Sequence, residues 1–120
     1  MLATVDLVSS WNEARACWAR GDFWTAHEWL ERPWLGASEP DRSALGGVIL
    51  LSAALHQASL GKARASRRNF AKALRKLAPL EDRWRGVDLR RLEWRTFVAL
   101  RAGATSMDLD ALAAADPLDD

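Results

Sequence analysis

Apolar residues recur every three or four positions in five segments of this chain, and turn-forming residues separate the segments. This interval is the period of a helix with one buried face. Aspartate, glycine and proline at the segment ends are the residues that cap and stop helices. No stretch shows strand-type alternation bounded by turn signals. The pattern therefore predicts an all-α fold of about five helices, in the segments 6–20, 22–35, 42–60, 62–77 and 88–102.

The third segment is apolar on nearly every side, which is typical of a helix surrounded by other helices. We expect it at the centre of a compact bundle. A chain of 120 residues can bury one hydrophobic core, so residues 1–103 are predicted to form a single domain. Residues 104–120 carry aspartates and no basic residue. We expect an acidic tail there, either disordered or with a short helix over 108–115.

Composition and charge restrict the classes of function. The net charge of +1 gives little overall attraction to polyanions, so any electrostatic partner must contact a local patch. The longest apolar run falls short of the roughly 20 residues that span a bilayer. Cys17 is the single cysteine, and the chain begins without the features of a secretory signal. These observations predict a cytoplasmic protein with no membrane contact.

The second segment places ionisable groups among aromatic ones. On a helical wheel, Glu31 lies about 40° and Trp24 about 60° from His27, which predicts that all three share the apolar face. Glu28 lies at the edge of that arc. An unpaired charge removed from water costs several kcal/mol, so such groups are normally paired, bound to a ligand or neutralised. The arrangement predicts a functional or structural site.

The third segment offers polar partners for this site. Ser52 and His56 lie one turn apart on one face of it. If the second and third helices pack antiparallel, their polar groups meet inside an apolar shell. The predicted polar cluster consists of His27, Glu28, Glu31, Trp34, Ser52 and His56.

Three interpretations of the predicted cluster remain open. It is a hydrogen-bonded structural network, a pocket for a small molecule or anion, or a site for a divalent metal. A metal would be held by His27, Glu31 and His56. Glu28 and Glu31 are the candidate catalytic residues, with Glu28 as a general base acting on a metal-bound water. The sequence names no cofactor.

A basic stripe runs along the fourth segment, and it consists of Arg64, Arg68, Lys72 and Arg75. These residues fall within about 80° of one another on the helix. The stripe could follow nucleic-acid phosphates, with Trp84 and Trp94 as stacking surfaces. A solvated helix face is the favoured interpretation, because no recognised nucleic-acid motif is present. Trp29 is predicted on the outer face of the second helix, as a contact between copies or with a protein partner.

Several motifs carry a family resemblance: Gly21-x-Phe23-x-x-Ala26-His27-Glu28-x-x-Glu31-x-x-Trp34, Gly47-Val48-Ile49, Ala53-Ala54-Leu55-His56 and Gly61. They resemble the small helical bacterial and archaeal proteins grouped as domain of unknown function 309. The resemblance implies an all-α fold with the His-Glu-x-x-Glu helix packed on the Gly-Ile helix, and no established activity. The chain has Leu50 where the family commonly has glutamine, and Lys62 where it commonly has asparagine.

The interpretation that we favour is a non-catalytic binding or interaction module built around a buried His/Glu cluster. A protein partner or a second copy of the chain is the expected ligand. One alternative is the metal-dependent hydrolase described above. The other is nucleic-acid binding through the basic stripe.

Overall fold

Helices near the predicted positions make up most of the structure, a computed structural model that describes residues 7–102 and Leu118. Within these residues the predicted all-α fold is confirmed. The predicted acidic tail lies outside the described residues, apart from Leu118, which packs against the core. The elements are α1 (Leu7–Ala19), α2 (Phe23–Leu35), α3 (Asp41–Ser59), α4 (Ala63–Leu77), β1 (Arg83–Trp84), β2 (Val87–Asp88) and α5 (Leu89–Arg101).

The turn between α1 and α2 is built on Gly21, whose φ is +75°. The N–H of Gly21 donates to the carbonyl oxygen of Trp18, and the N–H of Asp22 donates to that of Cys17. These two bonds form a Schellman motif, which requires a left-handed residue and so favours glycine. The Asp22 carboxylate then accepts from the backbone N–H of Thr25 and caps α2, as the sequence predicts.

The turn between α3 and α4 repeats this geometry. Gly61 has a φ of +76° and donates to the carbonyl oxygen of Ala58, and the N–H of Lys62 donates to that of Gln57. Lys62 occupies the position that Asp22 has in the first turn, and its side chain makes no capping hydrogen bond. The two helix pairs are therefore joined by the same backbone turn with different caps.

Helix α3 is the central helix, as predicted, and packs extensively on α2 and α4. Its buried apolar residues include Leu45, Val48 and Leu51. Gly47 lies against α4 so closely that an added Cβ would overlap the Leu77 side chain. This glycine therefore sets the distance between α3 and α4.

A short hairpin, which the sequence analysis missed, joins α4 to α5. Strand β1 pairs antiparallel with β2, and the intervening Arg85 and Gly86 both have positive φ, as a type I′ turn requires. Trp84 Nε1 donates to Asp41 Oδ1 (2.9 Å), and the Arg85 guanidinium donates to both carboxylate oxygens of Asp41. Arg85 is the main cause that holds the pKa of Asp41 below its usual range. The hairpin is thereby fixed to the first turn of α3.

The apolar spacing of the fourth and fifth segments predicts that Ala63, Phe97 and Val98 face the core, and the structure places all three elsewhere. Ala63 at the start of α4 is exposed, and so are Phe97 and Val98 on α5. The buried side of α5 is formed instead by Leu89, Leu92, Thr96 and Ala99. Helical periodicity groups residues into faces but does not say which face meets the core. No helix within the described residues is long and apolar enough to cross a membrane.

Candidate functional site

The buried face of α2 is rotated from the predicted one. Phe23, Ala26 and Leu30 are buried, whereas Trp24 on the other side of His27 is 47% exposed. Trp29, predicted on the outer face, packs against the core instead. The prediction treated Trp24 as a core residue, and this centred the apolar arc on His27. The imidazole actually lies at the border between core and solvent.

His27 contacts two oxygen atoms of its own helix. Its Nε2 lies 3.3 Å from Glu31 Oε2, and its Nδ1 lies 3.2 Å from the carbonyl oxygen of Trp24. A doubly protonated ring donates to both oxygens, and a neutral ring donates to one. The His27 side chain is 14% exposed and that of Glu31 is 48% exposed. The expectation of a cluster buried inside the core is therefore wrong for Glu31.

Trp24 is the group that brings the two imidazoles together. Its ring centroid lies 4.6 Å from that of His27 and 5.1 Å from that of His56 on α3. Asp22 lies close by. Hydrogen bonds from Thr25 chiefly hold the pKa of its carboxyl below the usual range, and the charges of Arg20 and then of His56 add smaller effects. We call the surface formed by Trp24, His27, Glu28, Glu31 and His56 the motif face.

Ser52 lies inside the core and has other partners than the predicted ones. Its hydroxyl donates to the carbonyl oxygen of Phe23 (2.8 Å) and accepts from Trp18 Nε1 (3.3 Å). It thereby links α3 to both α1 and α2. Ser52 satisfies buried backbone and indole groups, which gives it a structural role.

Two further members of the predicted cluster also lie apart from its centre. Trp34 is partly buried near the start of α3, where the Arg42 guanidinium lies 4.4 Å from its ring centroid and Arg42 Nη1 donates to its carbonyl oxygen. Glu28 is exposed on α2. The motif face is thus a partly exposed surface with an aromatic centre and a carboxylate edge.

The proposed ligands of a divalent metal do not converge. A metal site needs several donor atoms directed at one point. Across residues 7–102 and Leu118, no group of three or more His, Cys, Asp or Glu side chains is arranged to hold a metal ion. His27, Glu31 and His56 therefore do not fit the ligand set expected from the sequence.

The basic stripe is exposed along α4, and Arg67 and Lys76 flank it. The helix contains no acidic residue. Of the two predicted stacking residues, Trp94 is 63% exposed, but Trp84 is buried against Trp11 in the core. A base could therefore stack on Trp94 but not on Trp84.

A groove of about 660 Å³ lies between α4, α5 and the end of α3. Helices α4 and α5 are joined at the end away from the groove, where Arg90 Nη2 donates to the carbonyl oxygen of Leu77 (2.8 Å). The groove volume is within the range typical of ligand sites. We call it the aromatic groove, and its lining includes Ala58, Ala63, Arg67, Phe70, Phe97 and Arg101.

Aromatic rings continue from the groove onto the surface. The ring centroids of Phe70 and Phe97 are 6.1 Å apart, and Trp94 stacks on Phe97 at 5.6 Å. Arg101 lies 5.9 Å from the Phe97 ring centroid. Apolar contact area beside arginine is the composition of many protein interfaces. The groove was not predicted from the sequence, because its residues come from three helices.

Comparison with known proteins agrees with the motifs on α2 and α3. Residues 11–69 match the family described as Domain of unknown function (DUF309). The chain is therefore similar to DUF309 proteins over these residues. The match includes the motif face and ends within α4. The matched residues thus include Arg67 of the aromatic groove, whereas Phe97 and Arg101 follow them in the chain.

A curated relative is similar over part of the chain, and its description names no activity. An uncharacterized protein of Aquifex aeolicus (strain VF5) is 35% identical over 78 residues, which is 64% of this chain and 23% of the relative. The chain thus spans about a quarter of the length of that protein. No solved structure matches the chain significantly.

Proposed function

We propose that this protein is a non-catalytic interaction module that binds an acidic, amphipathic polypeptide segment in the aromatic groove. The observation that carries the proposal is the groove itself, which combines the partly buried Phe70 and the exposed Phe97 with Arg67 and Arg101. A contiguous exposed apolar surface is typical of interaction sites. Arginine at its rim favours a partner with carboxylates.

The hydrolase alternative has less support. It requires His27, Glu31 and His56 to hold an ion near Glu28, and these side chains do not converge. The motif face instead presents an exposed indole with carboxylates on one side. Such a surface suits contact with a protein. We therefore keep the interpretation of a binding module, with a partly exposed His/Glu surface in place of the expected buried cluster.

The test uses a short synthetic helical peptide with Leu and Trp on one face and Glu along its edges. We expect saturable binding in a fluorescence anisotropy titration. Arg67→Glu combined with Arg101→Glu should weaken it by about tenfold or more, since opposed charges become like charges. Lack of binding, or an unchanged affinity of this variant, would contradict the proposal.

The matched control is Arg68→Glu combined with Lys72→Glu, which makes the same change of charge. Arg68 and Lys72 are exposed on α4 but do not line the groove. We expect little loss of peptide binding in this variant beyond a salt-dependent effect of total charge. A peptide with Lys in place of each Glu should not bind.

Nucleic-acid binding is the second candidate, because α4 exposes basic residues without an acidic one and Trp94 is exposed on α5. It predicts that a labelled single-stranded oligonucleotide binds with an affinity that falls steeply with salt. Here Arg68→Glu with Lys72→Glu should abolish binding. Absence of oligonucleotide binding at low salt would exclude this candidate.

A further inference from the structure

Helix α2 carries an outward-facing row of residues that its own core does not use. We call Trp24, Glu28, Glu31 and Leu35 the outer stripe, since they lie within about 60° of one another on the helix. Trp24 is 47% and Leu35 is 71% exposed, and both carboxylates lie between them. The opposite side of α2 is buried. The outer stripe is thus an acidic face with an apolar residue at each end.

The aromatic groove has the opposite charge. Arg67 and Arg101 line it, and the exposed α4 surface beside it is basic throughout. On α5, Glu93 is the acidic residue, and it is partly buried with its carboxylate 3.6 Å from Arg90. An acidic helix face is therefore the ligand that the charges of the groove favour.

We infer that the aromatic groove of one copy binds the outer stripe of α2 from a second copy. This inference rests on the proposed function, because it names the partner of that groove. Trp24 and Leu35 would contact the aromatic rings, and Glu28 and Glu31 would pair with the arginines. The net charge of +1 leaves little overall repulsion between copies.

A chain cannot satisfy its own groove in this way. Phe23, Ala26 and Leu30 hold α2 against the core, so the outer stripe faces away from the molecule that carries it. The two surfaces are different patches of one chain, which makes the contact heterologous. When two copies bind in this way, one keeps a free stripe and the other a free groove. Further copies can therefore add at both ends, or the assembly can close into a ring.

Sedimentation velocity of the full chain tests the inference. The wild type should associate with rising concentration, and less at high salt. Variant A, Glu28→Arg with Glu31→Arg, and variant B, Arg67→Glu with Arg101→Glu, should each associate about 100-fold more weakly. All four positions are exposed, so these variants should fold, which circular dichroism checks.

The mixture of A and B gives the decisive result. The intact groove of A complements the intact stripe of B, and the reversed groove of B complements the reversed stripe of A. An equimolar mixture should therefore associate as the wild type does, although neither variant does so alone. The chain that combines all four changes should associate again, because both charges are reversed. If A does not fold, Trp24→Ser with Leu35→Ser replaces it.

Some outcomes would overturn the inference. These are a wild type that stays monomeric at millimolar concentration, association of variant A or variant B alone to the same extent as the wild type, or a mixture of A and B that does not associate. If such a protein still binds the acidic helical peptide, the proposed function stands and only the second copy is wrong as the partner. If the peptide also fails to bind, both are wrong.

Discussion

The two helical hairpins, α1–α2 and α3–α4, share one turn and differ in how their helices are held. Gly21 and Gly61 have the same φ within a degree, and the flanking hydrogen bonds correspond. In the first hairpin, the Asp22 side chain caps α2. In the second, the Lys62 side chain makes no capping hydrogen bond to α4, and the two helices are held by the close contact at Gly47. The comparison shows that the glycine sets the path of the backbone, while caps and packing separately set its stability.

The largest expected effect is at the close contact of the second hairpin. Gly47→Ala should reduce the free energy of unfolding by about 2 to 3 kcal/mol, because the new methyl group overlaps Leu77 and the helices must separate. Urea denaturation measures the loss as a lower midpoint.

Two further variants identify the cause. Gly46→Ala should cost less, since its Cβ would lie 3.3 Å from Trp34 Nε1 rather than overlapping a side chain. Leu77→Ala should partly relieve the defect of Gly47→Ala, so that the double variant is more stable than the separate losses imply. Strict additivity would show that the contact with Leu77 is not the cause.

The second prediction compares two buried hydroxyls of the second hairpin, of which Ser52 contacts the first hairpin and Ser66 contacts its own. Ser52→Ala should cost about 2 kcal/mol, because it leaves the buried Trp18 indole N–H without its acceptor and also removes the bond to Phe23. Ser66→Ala should cost only about 1 kcal/mol, since Ser66 donates a single bond to the carbonyl oxygen of Ala54. Thermal and urea unfolding measure both losses, and a larger loss for Ser66→Ala would reverse the comparison.

The third prediction concerns the cap of the first hairpin. Asp22→Ala should cost about 1 kcal/mol at neutral pH, as loss of an N-cap does. The folded pKa of Asp22 is below its unfolded value, chiefly because of the hydrogen bonds from Thr25. The stabilisation is therefore present above the unfolded pKa of about 3.9 and is lost as the pH falls through the lower folded value.

Unfolding midpoints measured between neutral and strongly acidic pH check this sign. The difference between wild type and Asp22→Ala should shrink as the solution becomes acidic. Asp22→Asn is the control, because the amide oxygen still accepts from Thr25 but does not titrate. A difference from Asp22→Ala that is constant with pH would contradict the prediction for the carboxylate.

The smallest expected effect is a gain. Lys62→Asn should stabilise the protein by about 0.5 kcal/mol, because Lys62 already has the backbone angles of Asp22 and lacks only a capping acceptor. The family resemblance gives asparagine at this position. Lys62→Ala should produce no such gain, and equal midpoints for the two variants would show that α4 does not use a side-chain cap.

The helices and their ends could be predicted from the sequence, because the signals are local. The caps at Asp22 and Asp88 and the stop at Gly61 each depend on neighbouring residues. The hairpin at Arg83–Asp88 was missed because strands of two residues are too short to show alternation.

The site was harder to predict, since it depends on how helices are rotated against one another. Trp24 and Phe97 are large and apolar, and a wheel drawn for an isolated helix assigns both to the core. In the structure, the buried residues include Ala26 and Leu30 on α2 and Thr96 and Ala99 on α5. The rings of Trp24 and Phe97 both reach the surface. The aromatic groove also joins residues far apart in sequence, such as Ala58 and Phe97.

The buried Ser52 hydroxyl has a consequence for how the chain unfolds. It donates its single proton to the carbonyl oxygen of Phe23 and accepts from the Trp18 indole N–H. One oxygen atom thus forms a hydrogen bond to each helix of the first hairpin. Both hydrogen bonds break if α3 separates from α1 and α2. Slowly exchanging amide protons in α1, α2 and α3 should therefore exchange through one common opening, with these three helices acting as a single foldon.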